Sequence, residues 1–177
     1  MSTATLPAPY SILTLYLCPL DNSGGAYTRT PEELRALLDA FAARGVEEWE
    51  VAVIDGDHSR IVDAASRRGL CAEELYALAL ELEQDDNAAP AICYLLEDCG
   101  AHYPTAEELL DHARDLSLFE GTAEDYADSI VDELYNIPSQ LRYYIDCEAL
   151  GRDMSINGDI DTFEYDGRCY VVTNPND

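Results

Sequence analysis

The hydrophobic pattern changes period along the chain. Tyr10–Leu17 is an apolar run of strand length, and Trp49–Ile54 is a second, followed by the turn residues Asp55-Gly56-Asp57. Between them, Thr30-Pro31-Glu32-Glu33 reads as a capping box with proline in the first helical position. The helix it opens carries Leu34, Leu37, Leu38 and Phe41 on one stripe, and Gly45 ends it.

From Ala72 the period is helical. Ala72–Leu82 aligns Leu75, Leu78, Ala79 and Leu82, and a helix near Pro90–Cys99 carries Ile92, Leu95, Leu96 and Cys99 before Gly100. Thr105–Ala113 repeats the capping pattern with Glu108. Thr122 caps a run with Ala123, Tyr126, Ala127, Ile130, Val131 and Leu134 inward. Four short amphipathic helices on short loops predict a small bundle. Further on, Pro138 opens a helix holding Leu141, Tyr144 and Ile145. Thr162–Tyr165 and Arg168–Val172, joined by Asp166-Gly167, give the strongest hairpin signal, and Thr173–Asp177 reads as a loose tail. The expected class is α+β. It divides into a small α/β N-terminal domain over 1–70, an acidic helical bundle over 71–135, and a C-terminal α+β domain with the hairpin over 136–177.

Charge changes this picture. The apolar content of 47% is ordinary for a folded chain, yet 36 acidic residues face ten basic ones, for a net charge of −26. All ten are arginine. Residues 71–135 hold eighteen carboxylates and one arginine, Arg114, while residues 1–70 nearly balance with ten acidic side chains and six arginines. A compact unit of 65 residues is about 28 Å across, so seventeen net charges amount to about one per 1.7 Å, the axial charge density of duplex DNA. The carboxylates concerned are Glu73, Glu74, Glu81, Glu83, Asp85, Asp86, Glu97, Asp98, Glu107, Glu108, Asp111, Asp115, Glu120, Glu124, Asp125, Asp128, Asp132 and Glu133. On the Thr122 helix, Glu124, Asp128 and Asp132 stand at i, i+4 and i+8. There like charges meet at about 6 Å and cost a few tenths of a kcal/mol per pair, and no Lys or Arg follows at i+4. The expectation is a surface without counter-ions that stands in for phosphates. Halophilic adaptation would spread acidity over the whole chain, which the near-balanced first 70 residues argue against.

A pI near 4.1 disfavours nucleic acid or anionic membrane as direct partners and favours a basic protein surface. No run reaches the roughly 18 apolar residues of a membrane span. No basic residue precedes the apolar run Tyr10–Leu20, so a buried strand in a cytoplasmic protein is expected rather than a signal peptide. With so many carboxylates, an acid–base pair somewhere is inevitable and uninformative. His58, His102 and His112 stand in no metal or triad spacing, and the six cysteines show no C-x-x-C pair. Reduced core cysteines are expected, together with no metal and no cofactor. Asp21-Asn22-Ser23-Gly24-Gly25 lacks the Lys-Ser/Thr of a phosphate loop. Asn157-Gly158-Asp159-Ile160-Asp161 misses the EF-hand spacing, so both read as turns.

The segment Ile137–Val172 closely resembles the C-terminal domain of ArdA antirestriction proteins. The likeness rests on Leu141-Arg142-Tyr143-Tyr144-Ile145-Asp146, on Glu148-Ala149-Leu150-Gly151-Arg152-Asp153 and on Asn157-Gly158-Asp159. Glu47-Glu48-Trp49 before a strand is similar to an early signature of the family, and Cys147 stands where a tyrosine is usual. The resemblance implies an elongated homodimer of three small domains per chain, joined through C-terminal regions, with a surface imitating bent B-DNA. It also implies occupation of the DNA groove of type I restriction–modification enzymes and protection of incoming DNA. Tyr144, Asp146, Glu148, Arg152, Asp153 and Asp159 fall in the family motif, with fold, dimer or target contact as open roles. A non-enzymatic inhibitor follows. The alternatives are a mimic aimed at a CRISPR effector, repressor or nucleoid protein, and an acidic adaptor without mimicry.

Overall fold

The structure is a computed structural model and describes residues 12–21, 24–134 and 137–175. Strand β1 (Leu13–Pro19) buries Leu13, Leu15 and Leu17 completely, because alternate side chains of a strand share one face. It is the middle strand of an antiparallel sheet with β2 (Ala26–Thr28) and β3 (Trp49–Gly56), in the order β2-β1-β3. Tyr10 and Ser11 of the expected first strand lie outside the described residues. The second strand runs on through Gly56, so the turn begins two residues later than expected, at Asp57.

Helix α1 (Pro31–Ala43) starts as expected: Thr30 Oγ1 accepts from the Glu33 N–H, and Glu33 returns a carboxylate to the Arg29 N–H. It buries Leu34 and Phe41 against the sheet. Helix α2 (Ser59–Arg67) follows, then α3 (Ala72–Gln84), which buries Leu75, Leu78, Ala79 and Leu82. Helix α4 (Ala89–Cys93) runs into a π-helical turn, Tyr94–Asp98, closed by the Cys99 N–H on the Tyr94 carbonyl at 3.0 Å. From this turn Tyr94 reaches the far end of the chain. Its hydroxyl donates to Asp161 at 2.9 Å, and its ring lies 5.1 Å from that of Phe163.

Helix α5 (Ala106–Asp115) is capped by Thr105 through the Glu108 N–H. Strand β4 (Leu118–Glu120) joins a second antiparallel sheet with β5 (Asp161–Tyr165) and β6 (Arg168–Val172), ordered β4-β6-β5. The expected hairpin is present, with Asp166 and Gly167 at φ 50 and 74, the left-handed values of a two-residue turn. One large core joins Leu13 to Val172 across both sheets and α1–α5.

Helix α6 (Ala123–Leu134) departs from the expected grouping. It packs on α8 (Cys147–Asn157) through a separate small cluster of Ala127, Val131 and Cys147. The side chain of Leu134 lies outside the described residues. The α+β class is as expected, and the differences are local. The helix opened by Pro138 is one turn, α7 (Ser139–Arg142), and leaves Leu141 and Tyr144 exposed. Helices α2 and α8 and strands β2 and β4 were not among the expected elements, although α2 carries a periodic signal, with Ile61, Val62, Ala64 and Ala65 on its buried face. In α8 only Cys147 and Gly151 are buried, so no apolar stripe marks it. Its limits are instead local: Asp146 accepts from the Ala149 N–H, and Gly158 at φ 77 closes the end with Asp159 bonded back to Met154. The tail is tied where described, Thr173 to the Ser117 carbonyl and Asn174 to Ser117 and Asp115. The cysteines need correction too. Cys71, Cys99 and Cys169 are exposed and Cys18 is half-buried, because they sit at helix ends or on outward strand positions; only Cys93 and Cys147 are buried.

Candidate functional site

Helix geometry decides what each carboxylate of residues 71–135 does for the fold. Seventeen of the eighteen are exposed; Glu74 is half-buried. Its carboxylate accepts from the Ala106 N–H at 2.8 Å, which brings the start of α3 beside the start of α5. Glu73 and Glu74, Glu107 and Glu108, and Glu124 and Asp125 all fall in the first turns of α3, α5 and α6. A carboxylate there faces unpaired N–H groups and the positive end of the helix dipole, both of which favour its charge. Asp125 does more: it accepts from the Thr122 N–H at 2.8 Å and the Thr122 hydroxyl at 2.6 Å. Those bonds hold its carboxyl below the usual carboxylate range. Asp85 likewise accepts from the Asn87 N–H at 3.1 Å and caps the short turn after α3.

Other carboxylates are matched by arginines distant in sequence. Arg142 reaches both Asp128 and Asp132, the latter at 2.6 Å, and lowers the Asp128 pKa by hydrogen bonding. The expected i, i+4, i+8 row on α6 is therefore not free of counter-ions. Its arginine enters from α7, ten to fourteen residues onward, where no i+4 rule looks. Glu97 pairs with Arg60 at 2.5 Å and accepts from the Cys93 thiol, and its carboxyl lies below the usual range for the first of these reasons. Asp98 beside it moves the other way, raised by burial and then by Asp161. Glu120 pairs with Arg168 at 3.3 Å, whereas Asp111 finds its partner locally, in Arg114 three residues on at 3.0 Å.

Besides Asp98, which ends the π-helical turn, five carboxylates have neither a side-chain partner among the described residues nor a capping or first-turn role in an α-helix. Glu81 and Glu83 lie in the last turn of α3, Asp115 ends α5, Glu133 lies in the last turn of α6, and Asp86 follows Asp85 in the exposed turn. Negative charge at a helix C-terminus opposes the dipole. Folding alone disfavours the four at helix ends.

The family-motif residues divide. Asp146 is the cap of α8, and Glu148 lies in its first turn. Gly151 presses on α6, where an added Cβ would lie 2.4 Å from the Ala123 carbonyl oxygen. Arg152 and Asp153 are exposed and 4.0 Å apart, Asp159 is exposed, and Tyr144 is 81% exposed, edge-on to Tyr143. Among the described residues no cluster of three or more His, Cys, Asp or Glu is arranged to hold a metal, and no helix is long and apolar enough to cross a membrane.

The sequence profile of the antirestriction protein (ArdA) family matches residues 25–167, four-fifths of the chain. The chain belongs to the ArdA family. No curated protein and no solved structure matches it. The ArdA match spans β2 through β5, and so includes every carboxylate of the acidic surface and the α6–α8 contact. All of β1, with Leu13, Leu15 and Leu17, falls before it.

Proposed function

We propose that this antirestriction protein acts as a B-DNA mimic. It occupies the DNA-binding groove of a type I restriction–modification enzyme in the cytoplasm and so protects incoming phage, plasmid or transposon DNA, with no catalysis of its own. The observation that carries this reading is the set of exposed, unpaired carboxylates at helix ends, where the helix dipole disfavours them. Segment 71–135 is the phosphate stand-in, with 1–70 and 136–177 as flanking units. Glu81, Glu83, Asp86, Asp115 and Glu133 make its principal contacts, and the first-turn carboxylates serve both fold and target.

A DNA groove is lined with Lys and Arg that meet phosphates. A rigid protein with carboxylates in comparable number is attracted over long range and associates fast. The exposed Leu141, Tyr143, Tyr144 and Ile156 support a homodimer through the C-terminal segment. Two copies at −26 each carry −52, the charge of about 26 base pairs.

The test neutralises four helix-end carboxylates together, as E81Q/E83Q/D115N/E133Q. Removing them relieves the dipole clash, so thermal stability holds or rises by about 1–3 kcal/mol in total. Inhibition of plasmid cleavage by a purified type I enzyme weakens at least about tenfold, one factor of 1.4 kcal/mol. Wild-type inhibition also falls with added salt. A variant that inhibits as well as wild type would remove the phosphate role from these groups.

A further inference from the structure

The fold leaves a cleft of about 690 Å³ between the start of α2, the segment Asp86–Pro90 and the β4–β6–β5 sheet. Ile61 and Pro90 give it buried apolar walls, and Tyr165 and Tyr170 give it half-buried aromatic ones. Four carboxylates line it against two guanidiniums. Both guanidiniums are already engaged, Arg60 with Glu97 and Arg168 with Glu120. Asp57, Asp86 and Asp166 are exposed and have no side-chain partner among the described residues. The start of α2 adds partial positive charge, which the adjacent Asp57 offsets.

We propose that this cleft receives an arginine side chain of the basic partner, an inference that rests on the mimic reading. The long apolar stem of arginine suits the Ile61 and Pro90 walls while its head stays among the carboxylates. The planar guanidinium stacks on an aromatic face, which an ammonium does less well. The cleft already holds one such contact: the Arg60 guanidinium lies 6.0 Å over the Tyr165 ring. The three free carboxylates supply charge for a second cation. Smooth phosphate mimicry gives many weak ionic contacts, whereas this slot adds one that requires a particular side chain.

The experiment is an NMR titration of the 15N-labelled full-length chain with N-acetyl-arginine amide, using the citrulline analogue and inorganic phosphate as comparators. The expected result is saturable amide shifts centred on Ser59, Asn87 and Gly167, absent with citrulline and with phosphate. The variant D57N/D166N, which spares Asp86 for its part in the mimic surface, weakens those shifts about fivefold, as loss of the ionic partners beside an intact Tyr165 face requires, and lowers inhibition of cleavage. Arginine shifts spread evenly over the acidic surface, or phosphate shifts centred on the cleft, overturn the proposal. If E81Q/E83Q/D115N/E133Q loses inhibition while the cleft variant keeps it, the slot fails and the mimic stands. If neither variant loses inhibition, the mimic reading itself fails, and the arginine shifts then report on the cleft alone.

Discussion

Gly151 is where local preference and tertiary packing disagree in sign. It lies inside α8, where helix propensity alone favours alanine by about 1 kcal/mol. A Cβ at this position would stand 2.4 Å from the Ala123 carbonyl oxygen, 2.6 Å from its carbon and 3.0 Å from the Glu124 nitrogen. All three are backbone atoms, so no side chain can turn aside. Ordinary contact begins at 3.4 Å, and α8 must retreat by about 1 Å to reach it. That retreat opens the cluster of Ala127, Val131 and Cys147, the buried residues that join α6 to α8. Overpacking costs about 1–3 kcal/mol, here toward the upper end because the obstacle is rigid. Subtracting the propensity gain leaves Gly151→Ala destabilised by about 2 kcal/mol, or about 4–8 °C in Tm for a chain of this size. Urea and thermal unfolding of the two proteins measure it. An alanine variant whose midpoint equals or exceeds that of wild type would refute the close α6–α8 contact and, with it, the placement of the α6 carboxylates.

The remaining expectations concern Arg142 and the thiols. Because Arg142 holds the Asp128 pKa below its ordinary value of about 3.9, the pair contributes stability above that pH and loses it as pH falls through the lower folded value. Thermal melts of wild type and Arg142→Gln therefore differ most above about pH 4 and converge toward pH 2; a gap unchanged from pH 7 to 2 counts against the clamp. With a disulfide-exchange reagent at pH 8, the exposed Cys71, Cys99 and Cys169 react quickly and Cys18 more slowly. Cys93, whose thiol burial pushes up to about 12, and the buried Cys147 wait for denaturant. A fast phase of five or six thiols would contradict this burial.

What could be read along the chain was whatever neighbouring residues decide between themselves. The caps Thr30 and Thr105 and the Asp166-Gly167 hairpin turn are set within four residues, and each forms as its sequence implies. Helix α8 escaped because Gly151 interrupts its pattern, and the reason for that glycine is the Ala123 backbone 28 residues earlier.

Charge followed the same division. Residue order was enough to establish a net charge of −17 over residues 71–135 and an α+β chain of a recognisable family. Which carboxylates stay free was set by the folded arrangement. Arg142, Arg60 and Arg168 find their acidic partners across 10 to 48 residues of chain, and ion pairing depends on distance in space, which the order of residues does not encode.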